Sequence, residues 1–233
     1  MRHPCAPSWS RHLPATSARS GKGQYHAMPP TPGILELVDQ CEFMARAYAE
    51  AGAPLPRRRP DGFPAIVASI IGQQVSAHAG AAIQRKVEAG LGGITVEAVL
   101  ARDDDELRGF GLSRPKVKYI RGVAEAVAAG ELDFDALRDA PDEEVLETLT
   151  RLKGIGQWTA EIYLMFALGR PDVMPSGDLA LAEAAARLMR LNARPKPKEL
   201  AEIAERWQPY RSTAALMLWY YYRFTGGPGA PDV

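Results

Sequence analysis

From Ile34 to Ala51, apolar side chains at Leu35, Val38, Cys41, Met44, Ala45 and Tyr48 recur at three- and four-residue spacing, which predicts one amphipathic helix. The Gly/Pro/Arg stretch Gly52 to Gly62 reads as a linker. Phe63 to Ile71 is apolar throughout and predicts a buried helix. Gly72-Gln73-Gln74-Val75 interrupts it, and Ser76 is placed to cap a further helix as far as Ala89. Two short helical pieces, Val96 to Arg102 and Asp104 to Gly109, precede a longer helix capped at Ser113, with Val117, Ile120, Val123, Ala124 and Val127 on its inner face. Pro141-Asp142-Glu143-Glu144 opens another, with Pro in the first turn and acids where the helix dipole favours them. Its apolar face is Val145, Leu146, Leu149 and Leu152. Further helices are predicted over Gln157 to Leu168, Leu179 to Leu191, Pro197 to Trp207 and Pro209 to Phe224. Strand-like alternation is scarce and no solenoid-period repeat occurs, so the pattern predicts an all-α protein.

Composition narrows this picture. At 233 residues and 46% hydrophobic, the chain can bury a core in one domain or in two small ones wrapped together. The longest apolar runs, Phe63 to Ile71 and Leu216 to Tyr222, fall short of the ~20 residues that span a bilayer, so a soluble protein without membrane association is expected. Cys5 and Cys41 are the only cysteines, too few for a four-cysteine iron–sulfur cluster or a thiolate zinc site. A reducing cytoplasm fits. Lys+Arg and Asp+Glu balance at 28 each, so any grip on a polyanion must come from local positive charge. Residues 1–35 carry Arg2, Arg11, Arg19 and Lys22, no acid and many Ser and Pro, and a disordered extension is expected over residues 1–30. The leader also resembles an organelle transit peptide, and a true start at Met28 is an equal reading. The Gly/Pro-rich tail from Gly226 to Val233 is expected to be loose.

Leu152 to Asp178 concentrates the candidate chemistry. Gly154 and Gly156 flank Ile155 between two helices, where glycine permits positive φ and a close backbone approach. The amides opening the second helix lack intrahelical partners and carry the positive end of its dipole, so they suit a phosphate without any side chain. Ile155 would pin the hairpin to the core. A plain tight connection between helices explains the glycines equally well.

Asp178 follows twenty residues after Trp158, beyond the breaks Pro171-Asp172 and Pro175-Ser176-Gly177, and precedes the helix Leu179 to Leu191. Taken alone it reads as a helix cap or as a carboxylate that does chemistry. Gln73 and Gln74 are open in the same way, between helix-end capping and a working turn. Trp219, inside an apolar run, reads on its own as core.

The blocks LKGIGQWTA at 152–160 and PSGD at 175–178 resemble the hairpin and the Gly/Pro loop with its Asp in the helix-hairpin-helix superfamily of DNA glycosylases. The subfamily they resemble is the 3-methyladenine DNA glycosylase II type. GLSRPKVKYI at 111–120, LGRPDV at 168–173 and RWQPYRS at 206–212 extend the likeness over about residues 34 to 225.

This resemblance implies two helical subdomains, one from residues 31–60 plus 171–226 and one from 61–170 that holds the hairpin, with the active-site cleft between them. It implies monofunctional excision of alkylated purines, 3-methyladenine and 7-methylguanine, from duplex DNA by base flipping, which initiates base excision repair. Asp178 would be the catalytic carboxylate. Trp158, Trp219 and Tyr163 would line the base pocket, and Gln74 would fill the gap left by the flipped nucleotide. Gly154, Gly156, Lys153, Gln73, Ser76, Arg114 and Lys116, with Lys118, would contact DNA, and Arg211 would brace the catalytic region. Carbonyls near Thr150, Leu152 and Ile155 would hold a Na⁺ or K⁺ ion, while the chemistry itself would need no cofactor.

Relatives that also cut the backbone carry Lys where Trp158 stands, so lyase activity is not expected. No obvious second acid is seen. Lys153 replaces a common Pro, and Ile162 stands where a pocket tyrosine is expected. No counterpart of the N-terminal β-domain of some members is expected, and a monomer acting on damaged double-stranded DNA at the nucleoid is. The readings left beside this one are a glycosylase of the same fold for a mismatched or oxidised base, and a non-catalytic binder that uses the hairpin alone. Asp178 separates them, since a pure binder does not need it.

Overall fold

A computed structural model of the chain describes residues 31–56 and 59–227, and the expected extension over residues 1–30 lies outside the described residues. Among those residues the fold is all helical: α1 (Ile34–Gln40), α2 (Glu42–Ala51), α3 (Phe63–Gly72), α4 (Ala77–Leu91), α5 (Val96–Leu100), α6 (Asp104–Gly109) and α7 (Arg114–Ala128) come first. They are followed by α8 (Phe134–Asp139), α9 (Asp142–Thr150), α10 (Gln157–Phe166), α11 (Leu179–Met189), α12 (Pro197–Ala204) with a 3₁₀ turn at Glu205–Trp207, and α13 (Arg211–Phe224). No described helix is long and apolar enough to cross a membrane.

The first predicted helix is two. Cys41 is extended, with φ −136° and ψ 113°, so that it ends α1 and opens α2. The buried stripe is Ile34, Leu37, Cys41, Met44 and Ala47, while Leu35 is exposed. Cys41 and Met44 lie on the buried face as the spacing predicts and Val38 and Tyr48 flank it, whereas Leu35 points outward and Ile34, Leu37 and Ala47 complete it. The helix α8 was not anticipated. It is a short piece started by Asp133, whose carboxylate accepts from the amides of Asp135 and Ala136. Pro141 is the cap of α9 rather than a residue of its first turn, and Ser113 caps α7 by backbone geometry without a side-chain bond.

Two helices run through the interior. From Thr159 to Phe166 every residue of α10 is buried, and so is every residue of α13 from Ser212 to Trp219. The first of these packs against α3 and α9, the second against α1, α2 and α11. Helix α3, apolar on nearly every side, lies among α4, α7 and α10, and α5 and α6 cover α7. A helix buried all round must be apolar all round, which is why the runs at 63–71 and 212–222 carry little polar periodicity.

Candidate active site and nucleic-acid interface

The hairpin between α9 and α10 turns tightly, with the Ile155 amide donating to Leu152 O at 3.1 Å. Gly154 has φ +91°, and the Tyr119 ring occupies the space a Cβ there would need. A side chain is excluded on both counts. Ile155 is buried and anchors the loop. Gly156 differs: its φ of −91° is open to any residue and nothing stands near the position of a Cβ. Its value is the bare approach it leaves to the first amides of α10, where the helix dipole is positive. Lys153, Gln157 and Trp158 are exposed around that approach.

The carboxylate is held from several sides. Arg211 grips Asp172 with a two-pronged ion pair, Nε to Oδ1 at 2.8 Å and Nη2 to Oδ2 at 3.0 Å, and adds its backbone amide. The Ser212 hydroxyl donates to Arg170 O and accepts from the Val173 amide. These bonds staple the loop from Arg170 to the start of α13. The loop then turns at Pro175, whose carbonyl accepts from the Asp178 amide at 2.9 Å. Asp178 Oδ1 caps α11, accepting from the amides of Ala180 at 2.8 Å and Leu181 at 3.0 Å, while Oδ2 accepts from Trp158 Nε1 at 2.9 Å. Three N–H donors on one carboxyl group are the pattern of an ionised acceptor. Both residues border one cleft.

That cleft has a volume of about 580 Å³, and its apolar wall is Trp158, Ile162, Phe166 and Trp219, with Asp178, Ser69 and Gln84 as polar groups. Phe166 stacks on the buried Trp219 with centroids 6.0 Å apart and planes at 27°. The Arg59 guanidinium lies 5.7 Å from the Phe166 centroid at the rim. A single flipped base fits such a volume, and the stacked rings give it a flat apolar surface. A larger groove of about 790 Å³ lies between α6, α7 and the hairpin, lined by both signs of charge from Asp104 and Glu125 to Arg114 and Lys118. Its lining carries charges of both signs, whereas Trp158 and Asp178 border the smaller cleft.

Several expected residues take other places. Tyr163 does not line the cleft: it is buried one position round α10, its hydroxyl accepting from the Gly62 amide at 3.1 Å, and Ile162 faces the cleft in its stead. Gln73 turns inward, Nε2 donating to Gly154 O at 3.0 Å and to Thr159 Oγ1 at 3.2 Å, so its amide nitrogen ties the turn to the hairpin. Lys116 donates to Ile71 O at the end of α3, and burial lowers its pKa. Ser76 Oγ accepts from the Ala79 amide, the helix cap that the sequence predicts. Gln74 is exposed with φ +56°, and Arg114 and Lys153 line the charged groove beside the hairpin. The Thr150 hydroxyl donates to Leu146 O at 2.7 Å, and Leu152 O, at the turn of the hairpin, already takes the Ile155 amide.

One group was missed. Glu161, in the middle of α10, is buried, with Oε1 accepting from Gln157 Nε2 at 2.9 Å. Burial pushes its carboxyl up to about 7, the Gln157 amide acts the other way, and the charge of Asp178 adds to the rise. A second acid therefore does stand near Asp178. The signal was present in the sequence as a lone carboxylate in the apolar run Ala160 to Phe166, where no second acid was expected.

Residues 67–209 match the model of the HhH-GPD superfamily of base excision DNA repair proteins, and the chain belongs to that family. Within it, the chain is 35% identical over 126 residues to DNA-3-methyladenine glycosylase 1 of Schizosaccharomyces pombe, covering 54% of this chain and 55% of the relative. The crystal structure of a DNA-3-methyladenine glycosidase from Bacillus halodurans is 38% identical, with a TM-score of 0.72 over 82% of this chain and 89% of that one. The 3-methyladenine DNA glycosylase of Schizosaccharomyces pombe in complex with abasic DNA is 28% identical, with a TM-score of 0.74 over 83% and 96%. The chain spans about half the length of the curated relatives it matches. The resemblance read from the hairpin and the Gly-Asp loop, and the all-α fold, are borne out.

Proposed function

We propose that the chain is a monofunctional DNA glycosylase of the 3-methyladenine II type, hydrolysing the N-glycosidic bond of alkylated purines flipped from duplex DNA and so initiating base excision repair. The observation that carries this reading is Asp178, an acceptor-only carboxylate hydrogen-bonded to the Trp158 indole at the mouth of an aromatic cleft.

As the base leaves, the sugar becomes oxocarbenium-like, and a fixed negative charge beside it stabilises the transition state. Asp178 supplies that charge and orients or deprotonates water. N-alkylated purines are often cationic and leave easily, and the exposed face of Trp158 suits a cation. Among the described residues no lysine lines the cleft, and Trp158 stands where the lyase relatives carry one, which supports the monofunctional reading.

The bare amides at Gly156, with Lys153 and Arg114 nearby, would hold phosphates. Gln74 would occupy the vacated place in the duplex. The neutral carbonyls of Thr150, Leu152 and Ile155 are donors of the kind a monovalent cation takes, and such an ion would neutralise phosphate charge at the hairpin. Residues 31–60 plus 171–226 and 61–170 would act as two subdomains closing on the base, in a cytoplasmic monomer.

The test is incubation of the protein and an Asp178→Asn variant with methylated duplex DNA, measuring released bases. The wild type is expected to release 3-methyladenine and 7-methylguanine and the variant none. Absence of release by the wild type, or equal release by both, overturns the proposal.

A further inference from the structure

Gln74 sits on a turn that is tied to the hairpin by two routes, one direct and one through α7. Gln73, its neighbour, donates to Gly154 O and Thr159 Oγ1 across the gap between α3 and α10. Lys116 of α7 donates to Ile71 O, the carbonyl just before the turn. Tyr119, one helical turn along α7 from Lys116, lies against Gly154 and leaves it no room for a side chain. Helix α7 thus holds the end of α3 with one residue and the hairpin with another, while Gln73 joins the two directly. Gln74 itself is exposed at φ +56°, a conformation that a non-glycine residue keeps only when its surroundings enforce it.

We propose that Gln73 is a positioning residue that locks the turn bearing Gln74 to the hairpin, so that the phosphate grip of the hairpin sets the depth and angle at which Gln74 enters the duplex. This rests on the proposed action on duplex DNA. The Gln73 amide spans from the turn to the carbonyl of the hairpin's first glycine, and that glycine is the one Tyr119 fixes. Two loops that would otherwise move independently become one tool. A grip that is not coupled to the wedge would bind DNA as well but open it less often.

The coupling is read by a double-mutant cycle on Gln73→Leu and Gln74→Ala. The probe is a duplex with 2-aminopurine beside a tetrahydrofuran abasic mimic, and the reading is the fluorescence change on saturating binding. Gln73→Leu is expected to reduce that change about tenfold in the presence of Gln74 and by less than about twofold in the Gln74→Ala background. Affinity for undamaged duplex should stay within about twofold throughout. Lys116→Met, which cuts the other tie, should reproduce the same dependence on Gln74.

Melting curves confirm that each variant folds. Penalties that simply multiply, or a parallel loss of affinity for undamaged duplex, overturn the inference in favour of a structural role for Gln73. A wild type that gives the fluorescence change yet releases no methylated base overturns the excision reading and leaves the coupling standing. One that gives no fluorescence change overturns the coupling.

Discussion

The indole of Trp158 donates through Nε1 to Oδ2 of Asp178 at 2.9 Å, leaving Oδ1 to cap α11. One carboxyl group therefore has a structural oxygen and a solvent-side oxygen. Asn at 178 keeps the cap and loses the charge, so Asp178→Asn is expected to fold with a melting temperature near that of the wild type while base release falls at least about 10²- to 10³-fold. Trp158→Phe keeps a ring in the cleft and removes the donor. It is expected to lower the single-turnover rate about tenfold with little change in affinity for lesion DNA. Single-turnover release assays on both variants check this. A Trp158→Phe variant with unchanged rate and weakened affinity would assign the indole to base stacking alone.

Glu161 makes stability depend on pH in a defined direction. Its carboxyl is raised from an ordinary value of 4.5 to about 7 in the folded protein. The folded state holds a proton that the unfolded state has released, so the contribution is full below about 4.5 and declines as pH rises to about 7. Beyond that window it is lost. Glu161→Gln stays neutral at every pH, keeps the Gln157 partner in reach, and is expected to be more stable than the wild type at pH 8 by about 3 kcal/mol, with the difference falling below about 1 kcal/mol at pH 5 and vanishing below about pH 4. Urea unfolding at both pH values measures it. An equal difference at pH 5 and pH 8 would rule out Glu161 as the titrating group.

The hairpin and the Asp178 loop were legible because their signals are local: glycines between two helices, and a Pro/Gly break before a cap. The apolar wall was only half legible. Trp158 and Trp219 line the cleft, and Ile162 does so at the position where the resemblance puts a pocket tyrosine, whereas Tyr163 next to it points away, because a helix buried all round gives no period by which to choose a face. Gln73 and Lys116 were expected to contact DNA from the resemblance of their motifs to the family's. Their partners, Gly154 O and Ile71 O, lie 81 and 45 residues away, and no local pattern records a bond over that separation. Glu161 stood out in its apolar run, and its partner Gln157 is only four residues away, but its raised pKa comes first from burial, which the local pattern does not record.

The fork between Arg211 and Asp172 fixes the loop whose far end carries Asp178. Lysine at 211 keeps the charge but cannot make two parallel bonds. Arg211→Lys is therefore expected to lower the rate of base release about tenfold, with affinity for undamaged duplex unchanged and stability reduced by about 1 kcal/mol. Release kinetics, duplex binding and thermal unfolding of one preparation check all three. A loss of stability without any loss of rate would confine Arg211 to holding the fold.

The two hairpin glycines should answer to different assays. Gly154→Ala meets both a φ of +91° and the Tyr119 ring, so it is expected to cost roughly 1–3 kcal/mol of stability and to weaken DNA binding through distortion of the loop. Gly156→Ala meets neither, since its backbone is in a region open to alanine and the space around it is empty. Its stability should stay within about 0.5 kcal/mol of the wild type. The added methyl group stands where a phosphate would approach the first amides of α10, so affinity for duplex is nevertheless expected to fall about tenfold. Thermal unfolding alongside fluorescence-anisotropy binding separates the two effects. If Gly156→Ala binds duplex as tightly as the wild type, the amides at the start of α10 are not the phosphate grip, and the exposed Lys153 and Arg114 must supply it instead.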